Sequence, residues 1–441
     1  MTTHPVSLTL YRARLLNQPD LYRITVDQGT ITTVDPDPAS PPDVLDIAHA
    51  PTVDPLPEAL DVNGRLVVPG MVDAHMHLDK ALTLPYANNP TGTLEGAIHS
   101  FGHIRPRLTP DDVVRRFQLM AKTVVSYGTT RIRSHLDFTN RTTFLPLLHA
   151  LAAAIDEWRD RLDVQLVVMA PRDNHPEFVD ALAGGAARYL TAIGGAPHLA
   201  PDPYANLSWI TSLAQKWGLG LDLHVDEQLN PQAKTLGWLA HWLTENTVEH
   251  LPVIAGHVVS IGTMPPEEAS TWIQAVAEVP LGIVTCPATN LYLQGRHDTV
   301  NVRRGLTRVR EWLAAGVPVA IASDNIQDPF NPFGRGDLLE MALLAGYAAH
   351  LGAAEADTLL AMITEIPGQL LGLSPYGVVP GSIADLVVLD AHSALEALQW
   401  QSPARWVFKR GRLVASRALV QRWYGETYPE TDLFEPPHAP L

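Results

Sequence analysis

Apolar and polar positions alternate along this chain with two different periods, and the change of period divides it. Residues 6 to 34 alternate like short strands, as in Leu8-Thr9-Leu10-Tyr11 and Leu21-Tyr22-Arg23-Ile24-Thr25-Val26, with turn residues between them. Near the other end, Ala384 to Leu389 and Arg405 to Val414 again read as strands, the second folded into a hairpin. The Pro-, Asp- and Ala-rich stretch Asp35 to Pro57 reads as a surface loop, and the proline-rich tail from Tyr428 as a loosely packed extension. The two chain ends are expected to combine into one small β-sandwich domain, built from residues 1–65 and 375–441.

Between them the pattern changes to strand then helix, repeated. The strands expected are Leu66 to Pro69, Thr130 to His135, Val164 to Met169, Leu190 to Ile193, Leu219 to His224, Leu251 to Gly256, Leu281 to Val284 and Val317 to Ile321. Helical segments lie between them, such as Asp111 to Ser126, Phe144 to Arg161, Leu207 to Trp217 and Val302 to Ala315. Eight such units, many of their strands nearly all apolar, predict an α/β (β/α)8 barrel over residues 66–374 rather than an open sheet.

Composition narrows the class. With 46% hydrophobic and 18% charged residues in 441 the chain is globular, and no apolar run approaches the roughly 20 residues of a membrane span. A formal charge of −16 with no basic stripe argues against nucleic acid as a partner. Cys286 is the only cysteine, which excludes an intrachain disulfide and a cysteine-rich metal site. Met1 to Asn17 carries no evident secretory signal, so a reducing cytoplasm is the expected compartment.

The candidate chemistry sits at the expected strand ends, where such barrels carry their active sites. After the first strand comes Met71-Val72-Asp73-Ala74-His75-Met76-His77-Leu78-Asp79, whose two histidines lie two apart and aim to one side. An isolated His-x-His is more often a surface pair than a metal site. The fifth strand, however, ends in Asp222-Leu223-His224-Val225-Asp226-Glu227, the sixth in Ala255-Gly256-His257, and the eighth in Ala322-Ser323-Asp324-Asn325. Taken singly, His224 or His257 is compatible with a core histidine, Asp324 with a helix cap and Glu227 with a solvated loop. Taken together, His75, His77, His224 and Asp324 suit one divalent metal ion, zinc or iron, with a position left for water.

At these residues the sequence resembles the metal-dependent amidohydrolases, and within them the bacterial cytosine deaminases. The resemblance rests on Pro69 to Asp79, Gly128 to Asp137, Asp222 to Glu227, Asn290 to Asp298, Arg303 to Val309, Ser323 to Phe330 and Pro380 to Leu389. It implies Fe2+ or Zn2+ held by His75, His77, His224 and Asp324, and hydroxide generated at neutral pH from water oriented by Asp324 and His257. It also implies that Glu227 shuttles the proton from the water to a ring nitrogen and the departing amine. The expected fourth strand offers no lysine for a binuclear bridge, and the lone Cys286 excludes the His-x-Glu/Pro-Cys-x-x-Cys deaminase class.

The substrate pocket departs from the cytosine deaminase pattern. Arg172 stands where those enzymes carry a glutamine, Lys80 where they carry an uncharged residue, Asn325 where they carry a second carboxylate, and Phe330 where they carry tryptophan. These changes make the pocket more positive. A guanidinium suits an oxo, carboxylate or anionic ring better than neutral cytosine, although Lys80 and Arg172 are also compatible with pairing to Asp79 and Asp173. The expected activity is hydrolytic deamination of an oxo-substituted nitrogen heterocycle. Alternatives are removal of an alkylamine from an oxo-triazine of the N-isopropylammelide type, opening of a cyclic amide, or a catalytically dead scaffold, which typically lacks ligands that this chain retains. Related enzymes commonly form homo-oligomers.

Overall fold

The computed structural model describes residues 7–420 except 38, 40, 42, 53–55, 247–252 and 404. The tail from Tyr428 therefore lies outside the described residues, as do Leu251 and Pro252 of the expected sixth strand. Eight parallel strands form one sheet in chain order: β1 (Met71–Met76), β2 (Thr129–Asp137), β3 (Asp163–Met169), β4 (Ala192–Gly194), β5 (Gly220–Val225), β6 (Val253–His257), β7 (Leu281–Thr285) and β8 (Val319–Ile321). The sheet closes on itself where Asp324 pairs with Met76 and its backbone N–H donates to the His75 carbonyl at 2.9 Å. Two candidate metal ligands thus flank the seam of the barrel.

Side chains sort by the two-residue period of a strand. Leu281, Ile283, Val319 and Ile321 join the large core shared with the helices, whereas Ile254, Val284, Ala320 and Ala322 join a smaller cluster with Val72, Ala74 and Cys286. The helices follow the other period. In Pro110–Ser126, Val113, Phe117, Met120 and Val124 recur every three or four residues and are buried, and Thr109 caps the helix by accepting from the Asp112 N–H. Burying each such large apolar side chain contributes about 1.5–3 kcal/mol.

Strands from both chain ends form a nine-stranded mixed sheet, whose main path runs from Arg412–Arg417 through Arg405–Lys409, Leu386–Leu389, Leu66–Pro69 and Ser7–Arg14 to Leu21–Asp27 and Thr30–Pro36. Leu66–Pro69, expected as the first barrel strand, belongs to this sheet instead and pairs antiparallel with Leu386–Leu389. The chain changes sheets at Gly70, where a Cβ would stand 2.1 Å from Thr130 Oγ1, so only glycine lets β1 leave so close to β2. The same strands join the two cores: Val67, Leu386 and Val388 pack with the terminal strands, while Val68, Val387 and Leu389 pack with the barrel. The expected hairpin turns at Arg410-Gly411, with φ of 48° and 75°, the left-handed pair that two-residue hairpins need.

Two further expectations are corrected. The helix read over Val302 to Ala315 is confined to Val309–Ala314. Gly305 has φ of +71°, and Arg303 is turned aside to Asp298, with bonds of 2.7 and 2.8 Å, which breaks the helical path. The loop expected from Asp35 to Pro57 contains a short strand, Leu45–Asp46, and a 3-10 turn from Ile47 whose Ile47 and Ala50 are buried.

Candidate metal centre and active site

Three imidazoles converge at the C-terminal mouth of the barrel. His75 lies in β1, His77 one residue past it and His224 near the end of β5. The Nε2 of His224 is 3.2 Å from Nε2 of both His75 and His77. Asp324 Oδ1, just past β8, is 3.3 Å from His77 Nε2 and 3.7 Å from His75 Nε2. All four residues are buried, and neither carboxylate oxygen of Asp324 accepts a protein hydrogen bond. Burial pulls the three imidazoles well below their ordinary range, so they are neutral with lone pairs to share, and pushes the Asp324 carboxyl up. Neutral Nε2 atoms crowded around an unsatisfied carboxylate fit a bound cation, and three histidines with one aspartate are the donors zinc or iron takes.

The backbone at this mouth is unusual. Asp226, His257 and Asp324 have φ of 48°, 69° and 58°, the left-handed region that non-glycine residues rarely enter. Each turn aims a side chain or its successor into the mouth. Asp226 is tied down by accepting from the Thr235 and Leu236 N–H groups at 3.1 and 3.0 Å. That fixes the base of Glu227, whose carbonyl also accepts from Gln294 Nε2 at 3.2 Å. The Glu227 carboxyl is 3.6 Å from His257 Nδ1 and is pushed well above its usual range by burial and then by Asp324. Asn290 Nδ2 is 3.1 Å from the same His257 nitrogen, which leaves Nε2 without a protein partner, and burial lowers His257 to about 4. His257 is therefore a neutral group at neutral pH.

Above the centre opens a cavity of about 570 Å³ lined by His77, His224, Glu227, His257 and Asp324 and by all four expected substrate contacts, Lys80, Arg172, Asn325 and Phe330. Those four are not equally free. The Lys80 ammonium donates to Asp137 at 2.9 Å, lies 3.9 Å from Asp79, and contacts His77 Nδ1 at 2.9 Å. An ammonium only donates, so at this distance His77 Nδ1 accepts and the ring proton sits on Nε2; ligation through Nε2 would move that proton to Nδ1 and turn Lys80 from His77 to Asp137 alone. The Asn325 amide donates to Asp328 at 2.8 Å. Phe330 forms an aromatic wall with Phe101, the ring centroids 6.5 Å apart. Arg172 is exposed at the rim, with no hydrogen bond or ion pair to any described residue, Asp173 included. Asp324 caps no helix; the next one, Leu338–Ala349, is capped by Asp337.

Other residues at the site are given no role by the sequence: His135 and Asp137 stand there only as part of the Gly128 to Asp137 stretch, and Cys286 only as the single cysteine. His135, fully buried in β2, packs its ring 4.1 Å from that of His75 and lies 3.3 Å from Asp222, which Arg133 engages at 3.0 Å. The signal was the stripe Arg131, Arg133, His135, polar at every second position of a strand. Asp137, buttressed by Lys80 and by Arg105 at 3.3 Å, is held well below the carboxylate range despite its burial. Cys286 and His257 each place a ligating atom within 4.8 Å of one on His75. Gly256 leaves room for this packing, since a Cβ there would stand 3.1 Å from the His75 ring.

Barrel, seam and histidine cluster together define an amidohydrolase. The sequence model of the amidohydrolase family matches residues 66–414, and the chain belongs to that family. Within it, the chain falls in the branch that resembles cytosine deaminases, enzymes acting on carbon–nitrogen bonds. It is 31% identical over 385 residues to the pterin deaminase of Rhizobium rhizogenes, covering 84% of this chain and 85% of that one. The N-isopropylammelide isopropyl amidohydrolase of Pseudomonas sp. strain ADP is 26% identical, covering 82% and 89%. Among solved structures, the 5-methylcytosine deaminase of Klebsiella pneumoniae bound to 5-fluorocytosine superposes with a TM-score of 0.83 at 28% identity, over 96% of this chain and 100% of that one.

Proposed function

We propose that the protein is a mononuclear metal-dependent deaminase that hydrolyses the exocyclic amine of an oxo-substituted nitrogen heterocycle, a cytosine-like pyrimidine or a related ring. The observation that carries this reading is the meeting of a buried Glu227 with the His75, His77, His224 and Asp324 donors at one end of one cavity. His75, His77, His224 and Asp324 hold the ion, iron or zinc, and no lysine stands at the end of β4 to bridge a second one. When bound, such an ion lowers the pKa of water towards about 7 and so supplies the nucleophile at neutral pH.

The chain's own groups do the rest. Asp324 accepts a hydrogen bond from the attacking water, and the open Nε2 of neutral His257 orients it. Glu227, whose acid form burial favours, donates to the ring nitrogen beside the amine-bearing carbon, raising that carbon's electrophilicity. Once ionised it takes the proton released by the water and passes it to the departing amine. Phe101 and Phe330 confine the ring, and the surrounding cavity limits the water that reaches it.

An alternative, loss of an alkylamine, is favoured by one feature. A second cavity of about 360 Å³ adjoins the first at Leu94, Leu199 and Glu227, beside the group that protonates the leaving nitrogen. Ammonia assays on cytosine, aminotriazines and pterins, paired with ring absorbance and amine analysis, distinguish the readings. Ammonia release with the ring intact is expected. Ring opening or alkylamine release without deamination contradicts the first reading, and no product from any of them contradicts both.

A further inference from the structure

Three cations line the main cavity, Lys80, Arg105 and Arg172, and two of them already have partners. Lys80 bonds Asp137 at 2.9 Å; Arg105 reaches Asp137 at 3.3 Å and the Phe138 carbonyl at 3.1 Å. Arg172 alone is unpaired among the described residues, even though Asp173 follows it directly. Nor does it hang on a loose segment. Buried Asn206 donates to the Pro171 carbonyl and to Asn174 Oδ1, each at 2.9 Å, and so pins the loop on both sides of the arginine. A charged fork held at a cavity mouth without a partner is organised for something that enters the cavity.

The chemistry of that ligand follows from charge and distance. A neutral ring oxo group would accept one hydrogen bond and leave the guanidinium charge balanced only by the field of Asp137, which Lys80 and Arg105 already engage. A carboxylate neutralises it and accepts two parallel N–H bonds in the fork geometry. The reacting end of the cavity is the buried cluster of His224, Glu227 and Asp324, whereas Arg172 stands at the exposed rim, so one molecule touching both must extend from floor to mouth. A cavity of about 570 Å³ is much larger than a single pyrimidine ring and accommodates a fused or substituted heterocycle.

We propose that Arg172 anchors a carboxylate carried by the substrate on the side of the heterocycle remote from the amine that is removed. This rests on the deaminase reading above, which sets the amine at the metal end. Arg105 stands on the same cavity wall and adds positive potential without contributing the fork.

The probes are 2-amino-4-oxopteridine-6-carboxylate and its uncarboxylated parent, measured on the metal-loaded enzyme and on Arg172→Met and Arg172→Lys variants. Arg172 is exposed and makes no internal bond, so both variants are expected to fold. Calorimetric binding is read first, because it does not depend on turnover. Wild type is expected to bind the carboxylate more tightly than the parent, Arg172→Met to lose that preference by on the order of 10- to 100-fold, and Arg172→Lys to regain only part of it. Ammonia release should follow the same order, mainly through KM. Arg172-dependent binding without ammonia release upholds the anchor and overturns deamination. Equal binding of both probes by wild type, no binding of either, or a preference unchanged in Arg172→Met overturns the anchor; ammonia release from the parent would still support the deaminase reading.

Discussion

Replacing Glu227 by glutamine is expected to lower kcat for ammonia release by on the order of 10² to 10⁴-fold while leaving metal content unchanged. The magnitude follows from the role. Glutamine keeps the shape and the contact with His257, 3.6 Å away, but it neither delivers nor takes up a proton. Because the side chain is buried and burial raises its pKa, the wild-type carboxyl is biased towards the acid form that a ring nitrogen needs. Metal analysis and thermal unfolding of the variant, run beside the kinetics, separate lost proton transfer from lost structure. Activity within tenfold of wild type would remove Glu227 from the chemistry and leave the cavity without a proton shuttle.

Removing one of the converging imidazoles has the second large effect. His224 is central, with its Nε2 3.2 Å from each of the other two histidine nitrogens. His224→Ala is expected to lose the ion on purification and to weaken metal affinity by more than the roughly 10–100-fold typical of outer partners, with ammonia release falling to background. The fold should survive, because the barrel is held by strand pairing and by the large cores on either side of Leu66–Pro69. Metal content by elemental analysis, with circular dichroism as the control for folding, checks this. A variant that retains both full metal and activity would mean that His224 is not a ligand.

Much of this site is legible in sequence because a barrel turns one-dimensional order into geometry. Residues that follow consecutive strands are brought to one mouth, so His75, His77, His224, His257 and Asp324 can be grouped without knowing a single distance. What the pattern misses depends on packing between elements. Leu66 to Val68 is an apolar run in either sheet, and only the close approach of Gly70 to Thr130 decides that it pairs with the C-terminal strand. The start of the Val302 helix is lost to an ion pair and a left-handed glycine, neither of which disturbs the apolar spacing.

The charged residues show the same limit more sharply. Lys80 and Arg172 look alike in sequence, as two added cations in a pocket. In the structure Asp137, 57 residues from Lys80, takes up the first charge through a hydrogen bond, whereas the second feels only the field of the same Asp137, with no hydrogen bond or ion pair to a described residue. His135 is given no role by its sequence for the opposite reason. Its neighbours Asp222 and His75 lie on other strands, so a buried polar stripe on β2 has meaning only once the barrel closes.

Deamination that depends on a divalent ion at the His75, His77, His224 and Asp324 cluster is tested by removing and restoring that ion. The purified protein is assayed for ammonia release on its best aminated heterocycle, stripped with a chelator, and assayed again after stoichiometric iron or zinc. Loss of activity on stripping and its return at about one ion per chain is the predicted result. Ammonia release that persists in metal-free protein would contradict the account.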